Sequence, residues 1–223
     1  MSFFRRFLWI FVSPNRVFDD IRDSKANWWQ PWVMVSALTL VATALMIPMQ
    51  RVLLEMNPKF SGAQVEKQMA MVSVSQMVMA PVMVLFVTLI VCGLTYVIVT
   101  VMSREATFKK YFTLILFTSV VSALGYLATA LLLRARGMDT ITSPEDLHAS
   151  LSLRVLAPEG SAVLKGLLGS IEFFSIWGLV LIAAGLRRTF GMRLGQALAC
   201  VIPLWLLYAV FTVLGEMFAN FGQ

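Results

Sequence analysis

Five apolar stretches, each about as long as a bilayer is thick, dictate what this chain can become. They cover residues 32–50, 78–102, 111–133, 163–186 and 197–218. A helix needs about 20 consecutive apolar residues to cross the hydrocarbon core. No water is present there, so every backbone N–H and C=O must be paired within the segment, and such a run reads as a helix. The expected fold class is an all-α integral membrane protein with five transmembrane helices. Composition agrees, since only 13% of the residues are charged against about 25% in a soluble domain. Two units are expected: an amphipathic cytoplasmic segment over 1–30 and a five-helix membrane domain over 31–223.

Charge sets the expected orientation. Of the 18 basic residues, eleven fall on one side of the spans: Arg5, Arg6, Arg16, Arg22 and Lys25, then Arg104, Lys109 and Lys110, then Arg187, Arg188 and Arg193. The other seven are spread over two long connections. The positive-inside rule places the N-terminus in the cytoplasm of a bacterial inner membrane and the C-terminus outside. The same rule accounts for the net charge of +6, so nucleic acid is not an expected partner.

The first 30 residues are polar by comparison. Arg5 and Arg6 precede "FLWIFV", too short a run for a secretory h-region, so no cleaved leader is expected. Phe3, Phe4, Phe7, Leu8, Ile10 and Phe11 recur at helical spacing, with Arg5, Arg6 and Trp9 on the opposite side, as in a helix lying in the interface. A second helix should begin at Ser13-Pro14, a cap followed by a first-turn proline. Its apolar face is Val17, Phe18 and Ile21, and its polar face Asp19, Asp20, Arg22 and Asp23. Trp28, Trp29 and Trp32 follow, as expected of anchors at the headgroup level. Two roles stay open for this helix: a membrane anchor, or a docking surface for a cytosolic partner formed by Phe18, Asp19, Asp20 and Asp23.

Within the spans, Glu172 in "GLLGSIEFFSIWG" stands out. A carboxylate in hydrocarbon costs roughly 2.5–3.5 kcal/mol on insertion scales, so it is a functional candidate by default. Counting from residue 163 puts it about 13 Å deep at 1.5 Å per residue. A later start to the span would leave it near the headgroups. Glu216 is its candidate neighbour for binding a cation or relaying protons, and Arg134 or Arg136 a candidate partner for either. Pro81 and Pro203 interrupt the helical hydrogen bonding and predict bends, read either as packing or as the hinge of a cavity. Met69, Met71, Met77, Met79 and Met83 cluster, and thioethers suit Cu(I). No histidine or cysteine accompanies them, and they read as packing residues. Cys92 and Cys200 lie in apolar runs and read the same way. The single histidine, His148, cannot make a multi-histidine metal site. No nucleophile elbow, zincin motif, P-loop or Rossmann fingerprint is present, so neither catalysis nor a cofactor is expected.

A loose repeat relates "GLTYVIVTVMSREATFKKYFTLILFTSV" to "GLVLIAAGLRRTFGMRLGQALACVIPLW". Each ends one span, crosses a basic turn and starts the next, as parallel hairpins would. The Pro14-x-x-x-Phe18 helix, the Trp28–Trp32 cluster, the five spans and the turns feeding "KKYFTLILFTSV" and "RLGQALACVIP" together resemble the bacterial branch of the Yip family. Its eukaryotic members interact with Ypt/Rab GTPases and carry an Asp-Leu-Tyr-Gly-Pro stretch where this chain has "SKANWWQPW". The resemblance implies a five-span fold and a role in membrane organisation or partner recruitment, with no active site. The expected partners are the lipid bilayer, a cytosolic or membrane protein, and a second copy of the chain. The alternative is a small transporter or channel built around Glu172.

Overall fold

The computed structural model describes residues 2–56, 60–103, 105–137, 152–158 and 161–221, and His148 lies outside them. The described residues are helical, apart from connections and one isolated bridge, and five of the helices are long and apolar enough to cross a membrane. In chain order the helices are α1 (Phe3–Val12), α2 (Pro14–Arg22), α3 (Trp29–Met56), α4 (Gly62–Met102), α5 (Phe108–Arg136), α6 (Ala162–Gly169), α7 (Phe173–Phe190) and α8 (Leu194–Phe221). A 3₁₀ turn at Leu153–Leu156 precedes α6.

α5 is the hub. It packs against α3, α4 and α7, while α8 closes on α4 and α7. Close approach is bought with glycine, as is usual between membrane helices. A Cβ at Gly125 of α5 would stand 2.8 Å from Phe174, and one at Gly185 of α7 would collide with Leu114. The two basic turns of the loose repeat meet at one end of the bundle. Ser103 Oγ donates to the Phe190 carbonyl at 3.0 Å, and Gln196 Nε2 donates to the Met102 carbonyl at 3.1 Å. Gly191, with φ +64°, makes the α7–α8 turn possible by ending α7 in the left-handed region. This end, which also carries α2, is called the basic end below.

Two expectations need correction. The helix of the second span starts well before residue 78: α4 begins at Gly62, behind a capping box in which the Ser61 N–H donates to Gln64 Oε1 at 2.8 Å. Residues 63–80 contain no glycine or proline, and Ala, Gln, Glu, Lys and Met propagate helix well. At 41 residues α4 is about 60 Å long, and it runs through Pro81 without ending.

The fourth span is not one helix. The expected 163–186 run breaks at Ser170–Glu172, separating α6 from α7. Gly169 and Ser170 weaken the helix there, and the Ser170 hydroxyl turns back onto the Leu167 carbonyl at 2.7 Å. The Ile171 carbonyl accepts the Leu153 N–H at 3.0 Å, and Ser152 bridges Glu172. The break is thus satisfied by the chain preceding α6, as a buried backbone requires.

The amphipathic N-terminal helices are present and pack on the bundle. Val17, Phe18 and Ile21 are buried in the same core cluster as Tyr111, Leu114 and Leu186, and α2 packs on α7 and α5. Arg6, expected on a polar face, is only 4% exposed. α1 turns its Phe4, Leu8 and Val12 stripe outward instead.

Candidate functional site

A cavity of about 790 Å³ opens between α5, α6, α7 and α8 toward the end opposite the basic one. The helix break lies on its wall. Glu172 caps the N-terminus of α7 in extended conformation, φ −123° and ψ 146°, so its side chain leaves the helix track and lines the cavity. Its depth was expected from a continuous helix, which the break removes. Glu172 Oε2 accepts a hydrogen bond from Ser175 Oγ at 3.4 Å, a long contact for an oxygen pair.

Glu216 lines the same cavity, so the two carboxylates singled out in the sequence do come together around one space. The cation beside Glu216 is Arg154, in the 3₁₀ turn: Nη2 stands 3.0 Å from Oε2, with both side chains largely buried at 13% and 16% exposure. Arg134 and Arg136 instead stand exposed at the end of α5. Arg154 was the readable signal that sequence reasoning passed over, an isolated cation in the apolar run "LSLRVLAP".

The remaining lining also escaped the sequence reading. α5 contributes Thr118, Ser119, Ser122, Tyr126 and Thr129, spaced by three and four residues and therefore on one face. Thr118 and Ser119 both donate to the Ile115 carbonyl, at 2.9 and 2.8 Å, which leaves Ser122, Tyr126 and Thr129 as the polar part of the row. α8 contributes Leu204, Trp205, Tyr208, Thr212 and Glu216, starting one residue beyond Pro203. Trp205 Nε1 is buried and has no hydrogen-bond partner among the described residues. Lys165 and Gly166 of α6 complete the wall. Gly166 lies against α8 so closely that a Cβ there would stand 2.5 Å from the Val213 Cα, and Thr212 Oγ1 donates to its carbonyl at 3.1 Å.

At the basic end, the four docking candidates are committed to the protein itself. Phe18 is fully buried. Asp19 forms a bidentate pair with Arg188, Nε to Oδ1 at 2.7 Å and Nη2 to Oδ2 at 2.9 Å. That guanidinium holds the Asp19 carboxyl below the ordinary carboxylate range. Asp20 accepts from Arg6 Nε at 2.8 Å. Asp23, well exposed, pairs with Lys25 and Arg22. Lys110 Nζ donates to the Arg22 carbonyl at 2.7 Å, tying the end of α2 to α5.

The three tryptophans do three different things. Trp28 packs on Phe112, and Trp29 stacks on Phe3 with ring planes 13° apart. Trp32 sends its indole N–H into the bundle, to the Pro81 carbonyl at 3.0 Å. Of the methionine cluster, Met69 is buried while Met71, Met77, Met79 and Met83 face outward. Cys92 and Cys200 are free and buried. Among the described residues, no group of three His, Cys, Asp or Glu side chains is placed to hold a metal.

The chain is similar to "Membrane protein YknW" of Bacillus subtilis (strain 168), with 27% identity over 211 residues that cover 92% of this chain and 87% of the relative. No solved structure is a significant match. The relative supports a membrane location. The matching family model, described as the Yip1 domain, spans residues 9–215 and so takes in α2, the first four spans and most of the fifth; the chain is a multi-pass membrane protein of the Yip1 domain family.

Proposed function

We propose that this chain is a non-catalytic carrier or receptor that admits a small polar or amphipathic molecule into the half of its bundle away from the basic end. One observation carries the reading: the broken helix delivers Glu172 into a cavity that also holds Glu216, Arg154 and Lys165. Charged groups at membrane depth are costly and are retained where they bind or relay something. The pattern of basic residues supports a cytoplasmic basic end. The cavity then faces the outside of the inner membrane.

Recruitment of a protein partner at the basic end is the second reading. It is supported by the exposed remainder of α2, which includes Asn15, Arg16 and Arg22. It is the less favoured reading because Phe18, Asp19 and Asp20 are engaged internally. A role in membrane organisation fits either reading.

Thiol accessibility tests the cavity. Cys92 and Cys200 are first replaced by alanine, and single cysteines are placed at Ser122, in the cavity, and at Val180, on the outward face of α7. A charged, water-soluble thiol reagent should modify Ser122→Cys at least about tenfold faster than Val180→Cys, because the reactive thiolate forms only where water reaches it. Equal rates would refute an aqueous cavity.

A further inference from the structure

We infer that the molecule held in this cavity is a single zwitterionic phospholipid with an amine head group, its head at the mouth and its tails directed inward. The inference rests on the ligand-binding reading above and adds the chemistry of the ligand. Three features of the lining specify it.

Depth comes first. On α8 the lining runs from Leu204 to Glu216, about 18 Å at 1.5 Å per residue. That is slightly more than half of a hydrocarbon core about 30 Å thick, so the cavity is one leaflet deep. Its volume of about 790 Å³ lies within the range of small-ligand sites, about 300–1,000 Å³. It is ample for a head group and the upper part of its chains.

Polarity is graded along that depth. The four charged side chains, Glu172, Glu216, Arg154 and Lys165, all come from the far ends of their elements. The inner part is lined by Leu179, Ile182 and Leu204. The two hydroxyls at that level, Thr118 and Ser119, are already turned onto Ile115. A soluble ion or sugar has no use for such a gradient, whereas an amphipathic lipid matches it.

Charge completes the match. Among the described residues, two carboxylates and two cations line the mouth, and this mixed lining suits a zwitterion better than a purely anionic head. Phe174, Trp205 and Tyr208 line the same cavity as Glu172, and a carboxylate and aromatic rings in one cavity suit an ammonium through both charge and ring faces. Arg154 and Lys165 supply the complementary pole for a phosphate.

The test uses the full chain, purified in mild detergent from bacterial membranes and analysed for retained lipid. Phosphatidylethanolamine should be retained over phosphatidylglycerol. Glu172→Gln should reduce that preference about tenfold, the loss of one contact to a charged group. Gly178→Leu should exclude the lipid altogether by filling the cavity, since a Cβ at Gly178 meets nothing closer than Ser122 Oγ at 3.8 Å. Both variants are to be checked for unchanged melting, and Glu172→Gln alone decides if Gly178→Leu fails to fold. Equal retention of phosphatidylglycerol would overturn the inference, as would a co-purifying peptide. Displacement by soluble phosphoethanolamine as readily as by phosphatidylethanolamine would also overturn it, since the tails would then contribute nothing. If no lipid is retained while Ser122→Cys remains reactive, the cavity reading stands and the lipid inference falls. If neither is seen, both fall.

Discussion

Arg6 offers the sharpest test of how the N-terminal helices are held. It is 4% exposed and makes three hydrogen bonds, to Asp20 Oδ2 at 2.8 Å, Gln30 Oε1 at 2.7 Å and the Lys25 carbonyl at 3.0 Å. One guanidinium therefore pins α1 to α2 and to the approach of α3. Arg6→Met keeps most of the stem but removes all three of these hydrogen bonds. Removing one partner of a buried pair costs about 3–5 kcal/mol. The Asp20 side chain retains 13% exposure and can recover some hydration, so about 3 kcal/mol is expected, toward the low end. For a chain of this length each kcal/mol moves the midpoint by about 2–4 °C. Melting in detergent should therefore fall by roughly 6–12 °C. Asp20→Asn should cost a similar amount, and the double variant should cost clearly less than the sum of the two. An Arg6→Met protein melting within about 1 °C of the parent would refute the reasoning and return α1 to a free interfacial helix.

Two further outcomes are expected. A reporter fused after Gln223 should be active outside the inner membrane and silent inside, because five spans with a cytoplasmic basic end require opposite termini; activity on the cytoplasmic side would overturn the orientation. The Asp19–Arg188 pair should add stability that is present near neutral pH and lost on acidification. Asp19 has a depressed folded-state value relative to its ordinary 3.8, so the loss begins as pH approaches about 4 and is complete below the depressed value. With side chains 29% and 51% exposed the pair is screened by solvent and its contribution is small. Asp19→Asn should remove this part of the acid sensitivity, and an acid-melting profile identical to the parent's would show that the pair contributes nothing.

What the sequence made legible follows from the length scale of each signal. Five runs of about 20 apolar residues are signals that no local detail cancels, and the structure carries five matching helices. The cap at Ser13-Pro14 and the face Val17, Phe18 and Ile21 were equally local, and α2 begins and packs there. What that face packs against was not local. An amphipathic stripe is the same pattern whether lipid or protein covers it, and only the fold brings Leu114 and Gly185 to Phe18. Arg6 failed for the same reason. Its partner is 14 residues away on another helix, and no periodicity within α1 can mark a charge for burial.

The site shows the same division at higher stakes. Glu172 and Glu216 were legible because each carboxylate stands alone in an apolar run. Arg154 was readable as a lone cation in an apolar run, but its pairing with Glu216, 62 residues away, was not. The helix break was written in Gly169-Ser170, yet glycine and serine are common inside membrane helices, where their cost is small. What turns weakness into a break is an external partner for the freed carbonyl, and Leu153 supplies it from 18 residues earlier in the chain. That same turn carries Arg154 to Glu216. A single short segment thus opens the fourth span, aims Glu172 and neutralises Glu216, all at one end of the bundle. Each unpaired charge held in hydrocarbon would cost roughly 2.5–3.5 kcal/mol. The Arg154–Glu216 pair offsets this for two of the groups, whereas the one side-chain contact of Glu172 among the described residues is the long one from Ser175. A bound ammonium would offset that remaining cost, which is why Glu172, more than its better-paired neighbour, should govern what enters.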